Sequence, residues 1–210
     1  MLSRYSYKII HCGTIYENCV VLMCNETKKG AIFDPGFDHQ KIINEIESMG
    51  FTPVEILNTH GHYDHIGAVE ELRKHFGIKI RAHKKEAEYF EDPNKNLSCY
   101  GGNKISFKID GFVREGEDIK IGNLTLKVLE TPGHTKGGVC YLVDDLLIAG
   151  DTIFAGSIGR CDLYGGNQDT LLNSIAEKIA TLPDNIKIIS GHGRETTVGD
   201  EKRFNPFMRM

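Results

Sequence analysis

The sequence predicts an α+β fold arranged as a four-layer sandwich, in which two mixed β-sheets pack face to face and helices cover their outer faces. Strand patterns gather near the start of the chain and again beyond residue 119, which favours two sheets over one parallel sheet. Amphipathic helical patterns lie between the strands. With 210 residues, of which 40% are hydrophobic, the chain is long enough to bury a two-layer core, and we expect residues 1–210 to form one domain.

Strands are predicted where short apolar or alternating runs are bounded by glycine, asparagine and charged turns. In the first half of the chain they span residues 5–10, 19–24, 31–33, 54–57 and 78–82. In the second half they span residues 119–121, 124–129, 139–143, 146–149 and 186–189. Asp144 and Asp145 separate two of these runs and are typical of a hairpin turn, so we expect that pair of strands to be antiparallel.

Helices are predicted where apolar residues recur every three or four positions. They span residues 38–49, 66–76, 84–90, 171–182 and a short stretch after Thr197. Asp38 is placed to cap the first of them and Gly50 to end it. An irregular segment that reaches Gly102 follows the third, and it is a candidate border of a substrate cleft.

Composition and charge exclude several classes of function. The net charge is −4 and the basic residues form no block of the kind that follows a phosphate backbone, so we expect no nucleic-acid partner. The richest apolar stretch, residues 139–149, is interrupted by two aspartates and is too short to span a membrane. The first residues lack the apolar core of a secretory signal, and the six cysteines form no C-x-x-C pair. We therefore expect a cytoplasmic protein with free thiols.

The strongest local signal is the run Thr59-His60-Gly61-His62-Tyr63-Asp64-His65, which lies between a predicted strand and a predicted helix. Three imidazoles and a carboxylate crowded on a loop either stay hydrated or need a cation, because burying them unpaired is costly. Imidazole and carboxylate are ligands that divalent metals prefer in proteins. The run therefore predicts a metal site.

Three further candidate ligands repeat the same arrangement, each directly after a predicted strand. His134 follows the strand at 124–129, Asp151 the strand at 146–149, and His192 the strand at 186–189. A loop that begins at a rigid strand can hold a side chain in a fixed position. We expect all seven residues to converge at one edge of the sheets.

The order T-H-x-H-x-D-H, followed by P-G-H, G-D and G-H-G, resembles the metallo-β-lactamase superfamily over nearly the whole chain. Within it, residues 150–154 and 156–162 look like the glyoxalase II-like group, and especially its short bacterial hydroxyacylglutathione hydrolase-like members. Residues 196–201 and 205–207 agree with that group. The resemblance implies the metallo-β-lactamase fold, an αβ/βα sandwich.

The resemblance also implies a role for each candidate ligand. His60, His62 and His134 would hold one ion, Asp64, His65 and His192 the other, and Asp151 would bridge both. Asp64 and Asp151 would thereby serve catalysis, and Arg160 stands where relatives carry a cationic substrate contact. We expect Asp34 to orient one of the metal ligands without binding the metal itself. The nitrogen and oxygen donors suit two divalent ions, with zinc as the first expectation and iron or manganese compatible.

The implied activity is hydrolysis of hydroxyacyl thioesters by a metal-bridging hydroxide. Two divalent ions carry more positive charge than two aspartates and a hydroxide neutralise, which favours a small anionic substrate. Whether that substrate contains glutathione stays open. Secreted β-lactamases of the superfamily commonly carry a cysteine in place of Asp151, which disfavours antibiotic hydrolysis. The alternatives are a sulfur (persulfide) dioxygenase with one non-haem iron on the same fold and a non-catalytic metal-binding protein. The sequence leaves the oligomeric state open.

Overall fold

The computed structural model describes residues 3–208 of the chain; Met1, Leu2, Arg209 and Met210 of the predicted domain lie outside them. The strands are β1 (Tyr5–Cys12), β2 (Glu17–Cys24), β3 (Lys29–Phe33), β4 (Thr52–Leu57), β5 (Lys79–His83), β6 (Gly111–Val113), β7 (Asp118–Ile121), β8 (Leu124–Glu130), β9 (Val139–Val143), β10 (Leu146–Gly150), β11 (Ile153–Phe154), β12 (Ser157–Ile158), β13 (Lys187–Ser190) and β14 (Thr196–Thr197). The α-helices are α1 (His39–Met49), α2 (Tyr63–Ile66), α3 (Val69–Phe76), α4 (Ala87–Glu91), α5 (Gln168–Ser174) and α6 (Val198–Phe204).

These strands form two six-stranded sheets and a small hairpin. The first sheet has the order β1-β2-β3-β4-β5-β6, antiparallel up to β3 and parallel from there on. The second has the order β14-β13-β10-β9-β8-β7, in which only β10 and β13 are parallel neighbours. Strands β11 and β12 pair with each other. Both large sheets are mixed, as predicted.

The apolar side chains of β2 show how the layers are built. Successive side chains of a strand point to opposite faces of its sheet. Val20 and Leu22 enter the core between the two sheets, together with residues of β7 to β10. Val21 enters a second core under α1 and α3. A third core joins the outer face of the second sheet to α5, around Leu171. The molecule is thus a four-layer αβ/βα sandwich, which confirms the predicted fold class.

The structure changes details of the predicted helices. The helix predicted at 66–76 is interrupted at Gly67 and Ala68, because the N–H of Ala68 donates to the carbonyl of Pro35. The helix predicted at 171–182 is α5 followed by one π-helical turn, Ile175–Ile179. Asp38 does precede α1, but the prediction that it caps the helix is wrong. Its backbone is left-handed and its carboxylate accepts a hydrogen bond from the N–H of Gly13 instead.

Strands β6, β11, β12 and β14 were not predicted. Each has two or three residues, too few to show a period-two pattern. Gly50 ends α1 as predicted, with a φ of 66° that a residue without Cβ adopts easily. Within residues 3–208 we find no helix whose length and apolar character would let it cross a bilayer.

Candidate metal centre

The seven predicted ligands follow the carboxyl ends of four strands. His60 comes after β4, and the helix α2 that holds Asp64 and His65 begins just beyond it. His134, Asp151 and His192 come after β8, β10 and β13, which all run in the same direction because β8 and β10 are both antiparallel to β9. Their ends therefore meet at one edge of the second sheet. The Val139 N–H donates to the Thr59 carbonyl and joins the end of β4 to this edge.

Two groups of three form there from the predicted ligands alone, and a third group joins Asp34 to His60 and His65. In the first, His60, His62 and His134, the possible ligand atoms lie within 4.8 Å of one another. In the second, Asp64, His65 and His192, the same limit holds. The structure therefore brings together the two sets of three that the resemblance implied.

Asp151 lies between the two groups. Its Oδ1 is 3.4 Å from Nε2 of His65. Its Oδ2 is 3.6 Å from Nε2 of His134 and 3.9 Å from Nε2 of His192. One carboxylate thus faces members of both groups, which is the position required of a bridging ligand.

Unpaired buried atoms test whether these residues fit a cation. Nε2 of His60, Nε2 of His65 and Oδ1 of Asp151 are buried and have no hydrogen-bond partner. Nδ1 of His134 lies 2.7 Å from the carbonyl of Arg160 and must donate to it, so its Nε2 accepts a hydrogen bond of 2.9 Å from Nδ1 of His62. That tautomer of His62 leaves its buried Nε2 as a further lone pair without a partner. Buried lone pairs without a donor are costly unless a cation accepts them, so the residues fit a divalent metal.

The electrostatics of the cluster favour neutral rings at His60 and His62 and ionised carboxylates. Burial lowers the pKa of His60 far below its ordinary value and that of His62 to about 3, so both rings are neutral at neutral pH. Burial alone would raise the pKa of Asp64 and Asp151. The neighbouring imidazoles, above all His65, overcome it and hold the pKa of both carboxyls below the ordinary value. At His65 and His192 the effect of burial is outweighed by Asp64 and Asp151, which raise the pKa of both rings, so a metal bound there would displace a proton.

Asp34 holds one of the ligands from behind, as predicted. Its carboxylate accepts hydrogen bonds of 2.6 Å from both the N–H and the hydroxyl of Thr59. Its Oδ2 also lies 3.1 Å from Nδ1 of His65. A donated Nδ1–H fixes the ring and leaves Nε2 free to face Asp151.

Glu86 was missed by the sequence interpretation. Its side chain is fully buried and its two oxygens accept hydrogen bonds from the N–H of Gly61, at 2.8 Å, and of Gly137, at 2.7 Å. Gly61 lies between His60 and His62, and Gly137 follows His134. The carboxylate therefore ties together the two loops that carry the first group of histidines. Burial raises its pKa to about 7.

The start of β2 was missed as well. Glu17 is fully buried, and its Oε1 lies 3.7 Å from Nδ1 of His65. The side-chain amide of Asn18 donates to the carbonyls of Ser190 and Gly193, and so holds the loop of His192. The signal was present in the sequence, because two polar residues directly precede the apolar strand pattern at 19–24.

Comparison with known proteins agrees with this geometry. Residues 13–192 match the family model of the metallo-beta-lactamase superfamily. The chain belongs to this superfamily. Among its superfamily relatives, the probable metallo-hydrolase YqgX of Bacillus subtilis is 43% identical over 200 residues, which cover 93% of this chain and 94% of the relative. The hydroxyacylglutathione hydrolase GloC of Haemophilus influenzae is 38% identical over 206 residues, with 96% and 97% covered.

Solved structures of the metallo-beta-lactamase superfamily have the same fold. The BLEG-1 B3 metallo-beta-lactamase superposes with a TM-score of 0.93 at 40% identity and covers 98% of this chain and 100% of its own. TTHA1623 in a di-iron-bound form superposes with a TM-score of 0.85 at 29% identity, with 95% and 99% covered. The predicted family and fold are therefore confirmed.

A cleft of about 430 Å³ opens over the cluster of candidate ligands. Arg160 lies at its wall, with an exposed guanidinium that makes two hydrogen bonds of 2.8 Å to the carboxylate of Asp162. Its carbonyl accepts the hydrogen bond from His134, a contact that the sequence interpretation did not foresee. The substrate contact predicted for its side chain stays a prediction.

Proposed function

We propose that the chain is a binuclear metallohydrolase that cleaves hydroxyacyl thioesters, as a glyoxalase II-like enzyme does. The position of Asp151 between two groups of candidate ligands, both of which contain buried imidazole nitrogens without a hydrogen-bond partner, carries the proposal. In it, His60, His62 and His134 hold one divalent ion and Asp64, His65 and His192 the other, while Asp151 contacts both. When bound, such ions lower the pKa of water and polarise a carbonyl oxygen.

Zinc is the proposed metal, because neutral imidazoles and ionised carboxylates suit it. The same donors accept iron and manganese, and the similar protein TTHA1623 has a di-iron-bound form. Metal analysis therefore belongs in the first experiment. The six free cysteines fit action in the reducing cytoplasm.

The charge of the site and the residues around the cleft indicate the substrate class. Two divalent cations exceed the charge of Asp64 and Asp151, so the proposed substrate is a small anion. Arg160 is the proposed contact for its carboxylate, since the guanidinium is exposed at the cleft wall and can exchange Asp162 for a ligand. Asp34 and Glu86 keep the ligand loops in place during binding. Similarity to GloC supports a hydroxyacyl thioester as the substrate class.

A second candidate function is β-lactam hydrolysis. It is favoured by the likeness to the BLEG-1 B3 metallo-beta-lactamase, which is 40% identical. Persulfide oxidation at a single iron is a third, since the same donor types bind iron. The three differ in metal, in substrate and in oxygen use, and a single set of assays separates them.

The protein is purified without added metal, its metal content is measured, and it is assayed with S-lactoylglutathione, a penicillin and glutathione persulfide. The proposal predicts about two metal ions per chain and thioester hydrolysis as the fastest of the three reactions. A wild-type protein with one iron that consumes oxygen with the persulfide and leaves the thioester intact overturns it. Faster hydrolysis of the penicillin establishes the second candidate instead.

A further inference from the structure

The cleft over the ligand cluster has an apolar wall built from separate parts of the chain. Ile15 comes from the β1–β2 turn, Leu97 from the irregular segment before Gly102, Phe154 and Ile158 from the β11–β12 hairpin, and Leu163 from the loop that follows. All five line the same cavity as His62, Asp64 and Asp151. Apolar walls around a few convergent polar groups are the usual composition of a small-molecule site.

Leu97 has an unusual backbone in this wall. Its φ is 71°, in the left-handed region that glycine and asparagine adopt readily and leucine rarely does. Residues held in sparsely populated conformations persist where the surrounding structure requires them, and they concentrate at functional sites. A leucine kept at such a position indicates that its side chain is needed there.

Hydrogen bonds of the preceding residue hold Leu97 against the cluster. The amide of Asn96 donates to the carbonyls of Tyr89 and Ile105, and its oxygen accepts from the N–H of Ser98. The carbonyl of Asn96 accepts from the N–H of Tyr63, the first residue of α2. Since α2 carries two of the proposed ligands, the position of Leu97 is tied to them.

We infer that Leu97 is a specificity-determining residue, and that with the rest of the apolar wall it selects substrates carrying an aliphatic group close to the reacting carbonyl. The inference rests on the proposed thioester hydrolysis and narrows its substrate class to thioesters with an alkyl chain on the acyl or the thiol side. The alkyl chain lies along Leu97 and Ile15, and the ester lies at the ligand cluster. Burial of each methylene against this wall strengthens binding.

Leu97→Asn tests the inference without straining the backbone. Asparagine has nearly the shape of leucine and tolerates left-handed φ, so the variant should keep a melting temperature at or above that of the wild type. Lys28→Asn is the matched control, because Lys28 also has a left-handed backbone, with a φ of 55°, and lies in the exposed β2–β3 turn, which does not line the cleft.

Hydrolysis is measured with two substrate series, acetyl and hexanoyl thioesters of N-acetylcysteamine, and acetyl thioesters of 2-mercaptoethanol and hexanethiol. The first series varies the acyl side and the second the thiol side. The wild type and Lys28→Asn should prefer the longer alkyl chain in one series by at least about tenfold in kcat/KM. Leu97→Asn should lose that preference, mainly through a higher KM. Ile15→Ser, which changes an exposed turn, should shift it in the same direction.

Binding of inert thioethers separates this inference from the proposed function. Calorimetry compares S-hexyl and S-methyl mercaptoacetate, which cannot be hydrolysed as thioesters. If the wild type cleaves none of these thioesters and not S-lactoylglutathione either, the proposed function fails. Tighter binding of the hexyl compound by the wild type and Lys28→Asn than by Leu97→Asn would still support an apolar site. Equal binding of both compounds by the wild type, or an unchanged preference in Leu97→Asn, overturns the inference.

Discussion

Oδ1 of Asp151 and Nε2 of His65 face each other at 3.4 Å in the centre of the cluster, and neither of these buried atoms has a hydrogen-bond partner. The backbone of Gly191 makes this approach possible. A Cβ on that residue would lie 2.2 Å from Oδ1 of Asp151 and 2.5 Å from Cε1 of His65. The packing of these two ligands against the backbone therefore requires a glycine at position 191.

Asp151→Ala should reduce the metal content of the purified protein from about two ions per chain to one or fewer. The variant removes the carboxylate that faces His65 with one oxygen and His134 with the other. Hydrolytic activity should fall by more than about 100-fold, beyond the loss typical of a residue that only supports a ligand. Cys161→Ser is the control and should retain both metal and activity, since its thiol donates to the carbonyl of Gly159 and packs against the core around Leu171 rather than among the candidate ligands. An Asp151→Ala protein with full metal content and turnover would contradict the bridging role.

Asp34→Asn should weaken metal binding by roughly 10- to 100-fold, the usual effect of changing a residue that holds a ligand. The amide removes a negative charge behind His65 and cannot accept every bond that the carboxylate accepts now. Competition with a chelator measures the change. Asp38→Asn is matched to it, because Asp38 also has a left-handed backbone but its carboxylate accepts from the N–H of Gly13 and is not part of the ligand cluster. Equal affinities of the two variants would contradict the role of Asp34.

Glu86→Ala should cost about 2 to 6 kcal/mol of stability, because it leaves the buried N–H groups of Gly61 and Gly137 without acceptors at about 1 to 3 kcal/mol each. Glu86→Ala should also weaken the binding of the metal ion held by His60, His62 and His134, since the carboxylate no longer joins the two loops that carry them. Chemical denaturation and metal titration measure the two effects.

Glu201→Ala is the control for this loss. Glu201 is also a buried carboxylate, and it accepts from the N–H of Gly156, the hydroxyl of Thr196 and the amide of Asn205. Its replacement should lower stability by a similar amount and leave the affinity for both ions unchanged. If the two variants bound metal equally well, Glu86 would have a general structural role only.

In the metal-free protein, the contribution of Glu86 to the free energy of unfolding should fall as pH rises from about 4.5 to about 7. Burial raises the pKa of this carboxyl from 4.5 to about 7, so the folded chain binds its proton more tightly than the unfolded chain. The stabilisation is full below the unfolded pKa and is lost as pH passes through the folded one. The difference in unfolding free energy between wild type and Glu86→Gln, measured across this range, isolates the effect. A difference that grows in favour of the wild type with rising pH would contradict it.

Much of the candidate site could be predicted from the sequence, because its ligands follow strands that have clear apolar patterns. Residues 124–129 and 146–149 showed their strands, and the residues after each strand were the polar ones. The supporting residues could not be found in this way. Glu86 lies in a 3₁₀ turn, and its partners Gly61 and Gly137 are 25 and 51 residues away. No local pattern encodes a hydrogen bond to a distant backbone N–H.

By itself, the sequence determined the fold class, the strand behind each ligand loop and the seven residues of the cluster. It did so because hydrophobic periodicity is local and because histidines crowded in one short run are rare without a cation. Only the tertiary structure decided that Asp151 faces both groups, that Glu86 joins two loops and that Leu97 takes a left-handed backbone at the cleft. These features depend on which loops of the two sheets meet, and long-range packing fixes that choice.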